Sequence, residues 1–151
     1  MALDSTPAEV ATIAHSIQLA VAPVFLLSGI GVLLGVLTNR LARVVDRARP
    51  LEEQHFVADP AEAEELRERL VTLARRARLM NLAITLSTIS ALLVAIVVAL
   101  LFGSALVHFN LALPVAGLFI VAMISLVGAL LAFLMEVRVA TRSIRIGPRQ
   151  R

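Results

Sequence analysis

LMNLAITLSTISALLVAIVVALLFGSALVHFNLALPVAGLFIVAMISLVGALLAFLM, residues 79–135, contains no Asp, Glu, Lys or Arg. The run is too long for one crossing of a bilayer whose hydrocarbon core is about 30 Å thick. It is punctuated by Gly103-Ser104, by His108-Phe109-Asn110 and by Pro114, the chemistry of a tight connection between two helices. The stretch therefore reads as a membrane hairpin: one span over about 82–103, a short loop over 104–111, and a second span over about 112–135, with Pro114 tolerated in the first turn of its helix.

Working back toward the N-terminus, residues 13–37 are also free of formal charge. At about 1.5 Å per residue they supply roughly 37 Å of helix, enough for one tilted crossing. Thr6, Pro7 and Glu9 make a helix start, with a hydroxyl cap, Pro at the first helical position and Glu completing a capping box. Acids occupy the place where a secretory signal would carry positive charge, so residues 13–37 are expected to be a retained first span behind an external segment of residues 1–12.

The fold class that follows is all-α and integral to a membrane. In the whole chain 59% of residues are hydrophobic and the mean hydropathy is +0.89, well above the composition of soluble domains. All 14 basic residues are Arg, against 11 acids. They flank apolar runs and form no basic face on a soluble domain, which argues against a nucleic-acid partner. With no Cys, disulfides and thiolate-ligated metals are excluded.

Orientation follows from where the arginines fall. Nine lie between Arg40 and Arg78, five lie from Arg138 onward, and none lies in the N-terminal segment or the 104–111 loop. Positive residues in short loops stay in the cytoplasm, so the N-terminus is expected outside, with residues 38–80 and the 136–151 tail in the cytoplasm. Within residues 38–80 two heptad seams appear, Leu37, Leu41, Val44 and Ala48, then Leu66, Leu70, Leu73, Ala77 and Met80. The intervening ARPLEEQHFVADPAE, with Pro50 and Pro60, reads as a turn or loop. Helices 1 and 2 are thus expected to extend into a cytoplasmic antiparallel helical hairpin, the whole chain making a single membrane domain.

A few polar and small residues interrupt this pattern. Ser28, Gly31, Gly35, Thr38 and Ala42 recur every three or four residues on the first span, and Ala122, Ser125, Ala129, Ala132 and Glu136 do so on the third. Such faces let membrane helices approach closely, either within one subunit or between subunits. On the second helix Arg78, Asn81, Thr85 and Thr88 share a stripe, which is either the wall of a hydrated path or a set of side chains bonding locally and to Asn39. Glu136 is expected to pair with Arg40 or Arg78, as a structural clamp or, less simply, a proton relay. His15 and His108 lie on the same expected side and could meet, sense external pH or hold a metal, but two His without a third ligand make a weak site and interfacial hydrogen bonding is the favoured account. No catalytic, cofactor or metal signature is present, so a non-enzymatic protein without cofactors is expected.

The segments IAHSIQLAVAPVFLLSGIG from Ile13, NRLARVVDRARPLE from Asn39 and RRARLMNLAITLSTISALLVA from Arg75 together resemble a bacterial membrane-protein family, domain of unknown function 2721. The most specific part is the cluster Arg40, Arg43, Asp46, Arg47 and Arg49. The resemblance implies a three-span bacterial inner-membrane protein and assigns no activity or functional residue. On the residues themselves, the leading expectation is a homo-oligomer, in one form an ion channel or pore, in contact with anionic headgroups at the cytoplasmic face. The rival is a membrane-anchored scaffold that binds a soluble partner through its helical hairpin.

Overall fold

A computed structural model describes residues 7–106 and 112–142. Every regular element among them is helical: α1 (Pro7–His55), α2 (Pro60–Leu106) and α3 (Ala112–Arg142). All three are long and apolar enough to cross a membrane, and most of each apolar stretch is exposed on the chain. Phe25, Val32, Leu113 and Ile124 are among the large side chains left outside. Lipid is the solvent that such a surface calls for, and the chain is a multi-pass membrane protein.

Pro7 opens α1, where a missing N–H costs nothing. The expected cap at Thr6 lies outside the described residues. The helix then runs unbroken through Pro23 and Pro50 to His55, so the broad turn expected around Pro50 is absent. Proline removes one N–H from the ladder, but the seam on either side of Pro50 continues with Ala48 and Leu51 half-buried, which holds the helix together. The connection shrinks to residues 56–59, where the Val57 N–H donates to the Gln54 carbonyl at 3.2 Å. Asp59 then caps α2: its carbonyl accepts the Ala63 N–H at 2.8 Å, Pro60 is the first helical residue, and Glu62 sits in the first turn, where an acid complements the helix dipole. With 49 and 47 residues, α1 and α2 each contain more than 70 Å of helix at about 1.5 Å per residue, over twice a hydrocarbon core.

The chain divides into two compact units. In the first, residues 1–33 and 87–126, α1 buries Ala20, Pro23 and Ile30, α2 buries Ser87, Ser90, Val94 and Val97, and α3 buries Ala122. The Ser90 hydroxyl donates to the Ala122 carbonyl at 2.8 Å, a bond between helices that requires α2 and α3 to lie close, which the small side chains permit. In the second, residues 34–86 and 127–151, the core is Leu37 and Val44 of α1, Met80 and Ala83 of α2, and Ala129, Ala132 and Glu136 of α3. Gly128 marks a close approach here, since a Cβ at that position would stand 3.2 Å from the Leu86 Cδ1.

Both seams read from the sequence lie inward in the second unit. Leu37, Val44 and Met80 are buried, while Leu41, Ala48, Leu66, Leu70, Leu73 and Ala77 are half-buried. Between the arms, Val44, Ala48, Leu70, Leu73 and Ala77 line a groove edged by Arg49, Glu52 and Arg67. The charges that flank the seam pair along one helix, Arg69 with Glu65 at 2.7 Å and Arg67 with Glu64 at 3.6 Å. All four side chains are well exposed, so the leucines and alanines hold the arms together.

Candidate functional site

The second unit buries one acid completely. Glu136 has 0% exposure, because the small residues Ala129 and Ala132 bring its face of α3 against the other helices. A carboxylate out of water needs counter-charge and hydrogen bonds, and two arginines from two different helices supply them. From α2, Arg76 directs Nε and Nη2 at Oε1, at 3.0 and 2.9 Å. From α1, Arg40 Nη2 stands 2.9 Å from Oε2. No N–H among the described residues is aligned on Oε2, so Arg40 holds that oxygen by charge, whereas Arg76 holds its partner by directed bonds. The Arg40 guanidinium also lies over the Phe133 ring, 5.2 Å from the centroid. Phe133 and Glu136, one turn apart on α3, thus grip one cation between an aromatic face and an anion.

Arg40 and Arg76 keep 28% and 15% of their side chains exposed, so each guanidinium reaches solvent at one edge. The pairing expected for Arg40 is the one seen, and the expected pairing with Arg78 is replaced by Arg76. The reason is helical phase. Arg76, Met80, Ala83, Ser87, Ser90, Val94 and Val97 follow one another at alternating steps of four and three, and everything on this line after Arg76 is buried. Arg78 stands two residues from Arg76, about 200° around the helix, and is exposed. Extending the apolar line of α2 backward by one turn would have found Arg76 in the sequence.

The other singled-out residues fall mostly on outer surfaces. Ser28 and Gly31 in the first unit, and Gly35, Thr38 and Ala42 in the second, are exposed, and a Cβ built on Gly31 or Gly35 would meet nothing within 4 Å. Among the described residues this small face packs against no other helix, because α1 turns Ile30, Leu37 and Val44 inward instead. The small face of α3 is the one used, with Ala122, Ala129 and Ala132 buried and Ser125 half-buried. Hydroxyls on the outer surfaces bond back to their own helices: Ser28 to Val24, Thr38 to Leu34 and Gly35. On α2, Arg78, Asn81, Thr85 and Thr88 are exposed, as is Asn39 on α1. Thr85 donates to the Asn81 carbonyl at 2.9 Å. The pH-sensing expectation rests on residues beyond reach here: His108 and the side chain of His15 lie outside the described residues. Among the described residues no group of three His, Cys, Asp or Glu could hold a metal.

At the connection between α1 and α2, Phe56 and Val57 are 88% and 87% exposed, leaving two large apolar side chains uncovered on a polar turn. Sequence reasoning passed over them because they sit inside a stretch read only as a loop.

No curated protein and no solved structure matches the chain. A family model does, over residues 20–146, from within the first span to beyond Glu136 and both of its arginines. The chain belongs to the family described as Protein of unknown function (DUF2721).

Proposed function

We propose that this is a non-enzymatic bacterial inner-membrane protein that works as a homo-oligomer, with the polar row of α2 lining a pore for small ions on the oligomer axis. The observation that carries the reading is the exposure of Arg78, Asn81 and Thr85 together, at the point where the charge-free run begins. Lipid does not solvate an amide or a guanidinium, and polar side chains at membrane depth face cavities or partners. The exposed Gly31 and Gly35 offer each copy a place for close contact with the next. Arrangement around an axis would give one row per subunit a common hydrated interior. In this reading the N-terminus is outside, and the helices beyond Thr38 and before Met80 form a cytoplasmic hairpin, as the arginine distribution favours.

Reconstitution tests both parts. Wild-type protein in liposomes should pass small ions and run as a defined oligomer in native mass spectrometry. Asn81→Leu should cut the flux, and Gly31→Leu with Gly35→Leu should shift the oligomer toward monomer. Liposomes that stay tight across voltage, pH and tension would remove the pore.

One observation favours a second reading, a scaffold that binds a soluble partner through the hairpin: the bare Phe56 and Val57 at its turn. Exposed apolar side chains at an extremity are typical anchors for a partner. Here Phe56→Ser with Val57→Ser should abolish recovery of the partner while leaving ion flux unchanged.

A further inference from the structure

Four arginines line a single cleft of about 160 Å³ beside the Glu136 clamp. Arg40, Arg43 and Arg47 come from one face of α1, Arg76 comes from α2, and Val44 forms the apolar floor. The spacing of three and four residues aligns the α1 side chains, and Arg76 is brought in by its bonds to Glu136. The space far exceeds the roughly 10 to 15 Å³ that admits one water, so the cleft has room for a small hydrated group.

The charge is out of balance. Among the described residues Glu136 is the one carboxylate paired with any of the four, and it is shared by Arg40 and Arg76. Arg43 and Arg47 have no ion pair among the described residues. Asp46 is exposed on α1, and Glu68 lines an adjoining cleft with Arg47, Arg69, Thr72 and Arg76, yet neither is paired with the four. Like charges gathered around one cleft repel, and the repulsion is relieved by an anion with several acceptor oxygens. Guanidinium groups suit oxyanions best, because two parallel N–H donors match two oxygens.

The position along the chain narrows the anion's source. Arg40 is the first charged residue after the first apolar run, and Arg78, two residues past Arg76, is the last before residues 79–135. The cleft therefore lies where apolar chain gives way to charge, at the level of lipid headgroups. We propose that it is a binding site for a phosphate oxyanion, gripped by Arg43 and Arg47 and bounded by Arg40 and Arg76, and supplied at this level by the phosphodiester headgroup of an acidic phospholipid. The site needs neither the pore nor the scaffold reading, only the three spans.

The test uses the full chain purified in detergent and titrated in three arms: phosphatidylglycerol in phosphatidylcholine mixed micelles, phosphatidylcholine alone, and inorganic phosphate alone. Bound mass in native mass spectrometry and the thermal unfolding midpoint are read together. Phosphatidylglycerol should bind and raise the midpoint where phosphatidylcholine does not. Arg43→Gln with Arg47→Gln should weaken that binding about thirtyfold, from two surface arginines, while Arg138→Gln leaves it unchanged. Stabilisation by inorganic phosphate that is lost in the same double variant would keep the site and make free phosphate its source. Equal binding by wild type and double variant, or equal loss in Arg138→Gln, would overturn the site. Should the glutamine pair fail to fold, Arg43→Lys with Arg47→Lys keeps the charge and removes the paired donors. Unchanged affinity in that variant overturns the proposal, and weakened affinity supports it.

Discussion

The two compact units bury polar atoms by opposite means. In the unit of residues 34–86 and 127–151, a full negative charge is taken out of water and offset by two guanidiniums from separate helices. Among the described residues of the unit 1–33 and 87–126, the buried polar side chains are two hydroxyls, of which Ser90 donates to a carbonyl of the neighbouring helix and Ser87 has no partner. The first arrangement is costly to disturb, since removing one member strands the others. The second is cheap, because hydrogen bonds between membrane helices are individually weak. Stability should therefore be concentrated around Glu136.

The largest expected effect is that of Glu136→Ala, which leaves Arg40 and Arg76 facing each other without an acid and should cost about 3 to 5 kcal/mol. Reversible unfolding in mixed micelles measures it, and a loss below that of Ser90→Ala would erase the contrast between the units. Next comes Arg76→Gln, which removes two directed bonds but leaves Arg40 in place, at about 2 kcal/mol. Its companion Arg78→Gln should change stability by less than about 0.5 kcal/mol, being an exposed side chain. Equal losses in the two variants would mean that the second helix is rotated from the arrangement described.

Smaller effects test packing. Gly128→Val pushes into Leu86, and overpacking there should cost about 1 to 2 kcal/mol, at the low end because the clashing atom is a mobile methyl. Adding Leu86→Ala should recover part of the loss. In the other unit Ser90→Ala should cost about 0.6 kcal/mol. Ser87→Ala should be neutral or slightly stabilising, since it removes a buried hydroxyl that forms no bond among the described residues.

The three helices were legible because absence of charge over a bilayer's thickness is a strong constraint that no local detail overrides. The inward face of α3 was legible too, since Ala122, Ser125, Ala129, Ala132 and Glu136 repeat together. Which way the small face of α1 turns was not. Ser28, Gly31 and Gly35 say that close approach is possible there, and Ile30 and Leu37, on the other side, offer a larger surface to the chain's own core. Nearness to the apolar run points to Arg78, whereas helical phase, which decides the pairing, points to Arg76. Pro50 carries a turn signal in the sequence, and packing along the α1 seam outweighs it here.

Glu136 also imposes an order on the making of the protein. Synthesis runs from the N-terminus, so Arg40 and Arg76 are made before the acid that pairs with them. The clamp closes only once α3 has been made through position 136. A chain that ends between positions 76 and 135 therefore carries both cations and lacks the anion that offsets them.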